Sequence, residues 1–247
     1  MRLRAQVSIF LVVAMLTGFY LWLYFMSHSL VIPSRFMADL PPNCRQVVLV
    51  LATDAQAISG NLCLMNKSPQ REWQSETEII PVSLGRGGMA WGLGEHTAPA
   101  PEGFRIKREG DGCSPAGVFR LPFAFGEEMH GEFLRLPYVS LTSSHFGVDD
   151  EKSGYYNQVV DASSVTVTRD WDSAETMLRP DGLYRLGAMV AHNPVNLPHA
   201  GSCIFLHLWR GPGQPTAGCT AMAEDDLKRV LSWLDPAAEP RLVQGCE

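Results

Sequence analysis

The chain alternates short apolar runs with polar, glycine- and proline-rich breaks, a pattern that predicts many short strands and few helices. Gln46–Ala52 and Ile58–Met65 are two β-rich runs separated by Thr53-Asp54, which reads as a hairpin. Further strands are predicted over Glu78–Leu84, Gly117–Phe123, Ser164–Thr168, Tyr184–Val190 and Ser202–Leu208. Two helices are predicted. Asp172-Ser173 can cap a short one through Leu178, stopped by Pro180-Asp181-Gly182. The stronger one spans Ala223 to Leu234, where Leu227, Val230, Leu231 and Leu234 fall on one stripe, acids open the first turn and Pro236 ends it. The pattern as a whole is that of a mainly β sandwich or barrel.

One run stands apart. Ala5–Met26 contains no charged residue and would make about 33 Å of helix, enough to cross a hydrocarbon core. Arg2 and Arg4 precede it, which predicts a cytoplasmic N-terminus and an exported remainder. Ser27-His28-Ser29 is a weak cleavage site, so a retained inner-membrane anchor is favoured over a cleaved signal peptide. The expected organisation is therefore an anchor or signal over residues 1–29, a proline-bearing linker over 30–44, the main folded domain over 45–238 and a tail over 239–247.

Composition narrows the function classes. The 247 residues are 46% hydrophobic, which supplies a core, and the net charge of −6 with no basic run argues against nucleic acid as a partner. The six cysteines include no Cys-x-x-Cys pair, which disfavours a zinc site or a thiol redox motif. Cys44 and Cys63 flank the first hairpin and are the one disulfide pairing suggested. His192, His199 and His207 share no helical face and have no carboxylate among them, so no metal site is expected. Gly85-Arg86-Gly87-Gly88-Met89-Ala90 mimics a dinucleotide fingerprint but is followed by Trp91-Gly92-Leu93-Gly94, a poor helix, and is read as a β connection.

The chemistry concentrates in Gly201–Met222, GSCIFLHLWRGPGQPTAGCTAM. A β-rich run carries His207 to a strand end, and Thr216-Ala217-Gly218-Cys219 precedes the strong helix. A thiol nucleophile needs a base, a group that orients the base and donors for the oxyanion. An adjoining imidazolium would lower the thiol pKa, and Gly218 permits close backbone approach beside the thiol. On spacing alone, a buried structural cysteine and a satisfied core histidine are the commoner explanation.

The segment resembles the signature of the L,D-transpeptidase (YkuD-like) family, a His at a strand end followed by Ser/Thr-x-Gly-Cys. Ser114-Pro115-Ala116-Gly117-Val118-Phe119 resembles a second element of that family, and the likeness extends over roughly residues 80–235. The resemblance implies a YkuD-like β domain with Cys219 as nucleophile, His207 as base, Gly218 before the nucleophile and Thr216 as an orienting group. Asn193 and Ser202, just upstream of His207, are candidates to line the substrate cleft. The implied reaction is peptidoglycan transpeptidation without a cofactor. Cys219 would form a thioester with a stem peptide, and an amine of a neighbouring stem would resolve it. Hydrolysis at the same site, as a carboxypeptidase or amidase, and a non-catalytic wall-binding role are the alternatives. Three features differ from the family pattern: Leu208 follows His207 where glycine is usual, only eleven residues separate His207 from Cys219, and Thr220-Ala221-Met222 replaces an Ile/Val-Arg pair.

Overall fold

The computed structural model describes residues 30–70, 72–127, 133–164 and 166–246. The segment expected to span a membrane, 5–26, lies outside the described residues. Among the described residues no helix is long and apolar enough to cross a membrane.

Residues from Ile32 onward form one compact unit, and it is mainly β. Its strands are β1 (Gln46–Ala52), β2 (Ser59–Lys67), β3 (Trp73–Ser75), β4 (Ile80–Ser83), β5 (Met89–Trp91), β6 (Ser114–Arg120), β7 (Ala124–Gly126), β8 (Tyr138–Ser140), β9 (His145–Val148), β10 (Gln158–Asp161), β11 (Ala174–Thr176), β12 (Leu186–Met189), β13 (Phe205–Leu208), β14 (Thr220–Met222) and β15 (Arg241–Cys246). One turn of helix, α1, spans Ser34–Met37, and the longer α2 spans Glu224–Trp233.

The large sheet runs β5-β6-β15-β1-β2-β4-β14-β13-β12-β7-β8, with β3 beside β2, and β10-β9-β11 form a separate small sheet. β4 and β14 share a single residue pair, Ser83 with Ala221, so the large sheet is two halves joined at one narrow point. The hairpin expected from Gln46–Ala52 and Ile58–Met65 is present as β1 and β2, paired antiparallel with Leu49 opposite Cys63. Every residue of β1 is buried, which is why QVVLVLA reads as an unbroken apolar run rather than an alternation.

The chain end is a structural strand. Arg241–Cys246 lies between β1, which it meets in parallel, and β6, which it meets antiparallel. The expected tail over 239–247 is thus largely an inner strand of the large sheet, and all six residues of β15 are buried. LVQGC carries too few apolar residues to signal this, because its place between β1 and β6 is set by strands distant in sequence.

α2 matches its sequence stripe. Leu227, Val230 and Leu231 are buried, worth roughly 1.5–3 kcal/mol each. No side chain caps its first turn, where Glu224, Asp225 and Asp226 instead face the positive helix end. Gln46 locks the other end, donating to the Trp233 carbonyl at 2.9 Å and accepting from the Asp235 amide at 2.8 Å.

Three expectations are corrected. The helix over 172–178 is absent, because Ala174–Thr176 pairs as β11 with β9. Cross-strand pairing there outweighs the Asp172-Ser173 cap signal. No strand forms among the described residues of 164–168, which run as a turn and loop beyond β10. All six cysteines are free. Cys63 sits opposite Leu49, five residues along the strand from Cys44, which puts the two about 16 Å apart, far beyond disulfide reach.

Candidate active site

β13 and β14 run parallel with Leu206 opposite Thr220 and His207 opposite Ala221. This register places Cys219, one residue before β14, beside Phe205. The Phe205 amide donates to the Cys219 sulfur at 3.3 Å, and the Cys219 thiol points back to the Cys203 carbonyl at 3.8 Å. His207 lies two residues beyond Phe205, so both side chains leave the same face of β13. His207, Cys219, Thr216, Gly218 and Ser202 line one cleft of about 230 Å³.

The turn that presents Cys219 is pinned by two hydroxyls. Thr216 Oγ1 donates to the Cys219 carbonyl at 2.6 Å and accepts from the Gly218 amide at 3.1 Å. Ser114 Oγ donates to the same Cys219 carbonyl at 3.1 Å and accepts from the Gly85 amide at 2.9 Å. Thr216 therefore orients the turn rather than the imidazole. Ser114, which sequence reasoning placed in a motif without a role, holds the backbone of Cys219. Gly218 has φ +149°, and a Cβ there would lie 3.1 Å from both the Cys113 carbonyl oxygen and an Ile204 methyl. The position requires glycine.

The imidazole is oriented by a group no sequence pattern reveals. His207 Nδ1 lies 2.7 Å from the Leu208 carbonyl. A carbonyl only accepts, so Nδ1 carries the proton and the neutral ring keeps its Nε2 lone pair free. The Tyr184 ring packs edge-on against His207 at 5.1 Å between centroids. Tyr184 donates in turn to Glu175 at 2.7 Å.

Burial sets both protonation states. It pushes the Cys219 thiol up to about 12, opposed chiefly by the Phe205 amide. It holds His207 down to about 4, partly offset by the Leu208 carbonyl. Cys219 is 6% exposed, so access is narrow. Burial thus favours a neutral thiol and a neutral imidazole at rest, against the thiolate that an adjoining imidazolium would promote. Desolvation disfavours the charged form of each group.

Asn193 does not reach the cleft. Its amide donates to the Leu197 and Gly201 carbonyls at 2.9 and 3.1 Å, and its oxygen accepts from the Leu197 amide at 2.9 Å. It is fully buried and holds the 193–201 loop together. Ser202 does line the cleft, beside the Tyr156 hydroxyl. Asn157, missed in the sequence, anchors the same region. It accepts from the Cys203 amide at 2.9 Å and donates to the Asn193 carbonyl at 2.9 Å, and so holds Cys203 at a φ of +50° beside Cys219. His192 is buried and His199 faces Glu151, so the three histidines have separate surroundings. No group of three or more metal-ligating side chains occurs among the described residues.

A free thiol and an oriented imidazole thus line one cleft, beside a turn fixed by Ser114 and Thr216 on a mainly β scaffold. The family model of the YkuD L,D-transpeptidase catalytic domain matches residues 64–243, well over half of the chain. The chain belongs to that family and is an L,D-transpeptidase-type enzyme. No match is found among the curated proteins or the solved structures.

Proposed function

We propose that the protein is a peptidoglycan L,D-transpeptidase that works through a Cys219 thioester. The observation that carries this reading is the hydrogen bond from His207 Nδ1 to the Leu208 carbonyl, which leaves Nε2 as an acceptor in the cleft that holds Cys219. Cys219 Sγ attacks a stem-peptide carbonyl as its proton passes to His207 Nε2. The Phe205 N–H at 3.3 Å supports the sulfur's developing charge. The C–N bond to the terminal D-amino acid breaks, and the leaving amine takes the proton from the imidazolium. An amine of a neighbouring stem then attacks the thioester, and Cys219 leaves as thiol. Because both groups rest neutral, proton transfer and attack proceed together rather than from a stored ion pair.

The uncharged run over 5–26, with Arg2 and Arg4 before it, supports an inner-membrane anchor that holds this domain in the periplasm, where stem peptides lie. Incubation of the purified protein with stem tetrapeptides, read by mass spectrometry, tests the reaction. Cross-linked dimer supports transpeptidation. Tripeptide alone replaces it with hydrolysis, and no product removes both.

A further inference from the structure

The cleft is lined by four cationic and three acidic side chains. Most already have a partner. Lys107 Nζ lies 2.7 Å from Asp111, Arg179 lies 2.7 Å from Asp181, and Arg210 lies 3.2 Å from the same carboxylate. Glu175 accepts from the Tyr184 hydroxyl at 2.7 Å, and Glu109 accepts from the Tyr156 hydroxyl. Two charges remain. Arg86 makes no side-chain hydrogen bond or ion pair among the described residues, and its guanidinium lies along Gly112, whose missing Cβ would come within 3.3 Å of it. Asp149 likewise has no partner, and its Oδ1 is shut away from water without a hydrogen bond.

That orphan oxygen is informative. Five buried side-chain polar atoms lack a hydrogen-bond partner among the described residues: Ser83 Oγ, Asp149 Oδ1, Glu151 Oε1, Trp171 Nε1 and His192 Nε2. Glu151 Oε1 still faces His199 Nδ1 at 2.7 Å as an ion pair. Of the five, only the Asp149 atom belongs to a residue lining the cleft. An unpaired buried carboxylate oxygen is costly, so a cation held in the cleft beside the Asp149 carboxylate would stabilise it. Arg86 is tied to the nucleophile's turn, since its backbone amide donates to the Thr216 carbonyl at 2.9 Å. No cation follows Cys219 before Lys228, which is occupied by Glu224 at 2.9 Å.

We infer that Arg86 and Asp149 are the specificity-determining residues of the cleft, Arg86 binding a carboxylate and Asp149 an ammonium group of one ligand that carries both. A stem peptide whose diamino acid keeps a free amine and a free carboxylate is such a ligand, so the assignment rests on the stem-peptide reading above. It supplies from separate loops the charge recognition that the residues directly after Cys219 do not provide.

Binding to the Cys219→Ala protein tests the assignment apart from catalysis. Three stem tetrapeptides are titrated calorimetrically: one native, one with the diamino acid carboxylate amidated and one with its free amine acetylated. Arg86→Gln should weaken the native peptide by about tenfold or more and no longer distinguish it from the amidated one. Asp149→Asn should do the same for the native and acetylated peptides. Arg86→Lys should restore part of the loss. Variants that bind the native peptide within about twofold of the parent, or that lose all three peptides equally, overturn the assignment. So does a parent protein that binds none of them. Turnover by the Cys219 enzyme is scored separately. If it processes the native peptide while the variants bind normally, the subsites fall and the reaction stands. If it processes nothing, the reaction falls, whatever the binding shows.

Discussion

Ser114 and Cys219 are 105 residues apart in sequence, yet the Ser114 hydroxyl donates a 3.1 Å hydrogen bond to the Cys219 carbonyl. With Thr216 bonded to the same oxygen, the Cys219 backbone is held from both β6 and its own turn. Ser114→Ala should therefore do more than remove a buried hydroxyl. It orphans the Gly85 amide and removes one of two donors from Cys219, costing about 1–3 kcal/mol in denaturant unfolding. It should lower kcat more than it raises KM, because it shifts the attacking atom. A loss confined to KM would place Ser114 in substrate binding instead.

Thr216 and Ser114 share an acceptor, so their effects should not add. Thr216→Ala should cost about 1 kcal/mol, and Thr216→Ser should restore it. The double variant should lose more than the sum of the single losses, since the buried Cys219 carbonyl is then left bare. Additive losses in a double-mutant cycle would show that the two hydroxyls act separately.

Gly218→Ala tests the turn itself. The residue must adopt φ +149° with its Cβ 3.1 Å from the Cys113 carbonyl oxygen. The strain should cost about 1–3 kcal/mol and nearly abolish turnover. Normal activity in this variant would mean that the turn is free to rearrange.

The neutral resting pair has a pH signature. His207 and His192 are both held down to about 4 by burial, below the ordinary value of about 6.5. Between those values the unfolded chain binds more protons than the folded one. Stability should therefore fall as pH drops from about 6.5 to 4. In the same folded protein the acid limb of kcat/KM should lie well below 6. With the Cys219 thiol pushed up to about 12, its alkylation by iodoacetamide should rise steadily through pH 8–10 without levelling. A plateau of fast alkylation at neutral pH would reveal a stored thiolate.

Local pattern made part of this site legible. The stripe Leu227, Val230, Leu231 announces α2, and the apolar run before His207 announces β13, because each buries a periodic face. The Thr216-x-Gly218-Cys219 turn is readable because its bonds are short-range. What escaped is tertiary or backbone in origin. The Leu208 carbonyl orients His207 with an atom every residue has. Ala174–Thr176 is a strand only because β9 lies beside it. Arg241–Cys246 is buried by two distant strands, and Asn193 turned inward to its own loop rather than toward the cleft.

The central claim is that Cys219 alone among six cysteines becomes acylated, with His207 as its proton acceptor. Intact-mass and peptide-mapping analysis of the full-length protein, quenched in acid during turnover of a stem tetrapeptide, tests this directly. The account predicts one acyl adduct of tripeptide mass on Cys219, absent from Cys219→Ala and strongly reduced in His207→Ala. An adduct on Cys113 or Cys203, or turnover preserved in Cys219→Ala, would contradict it.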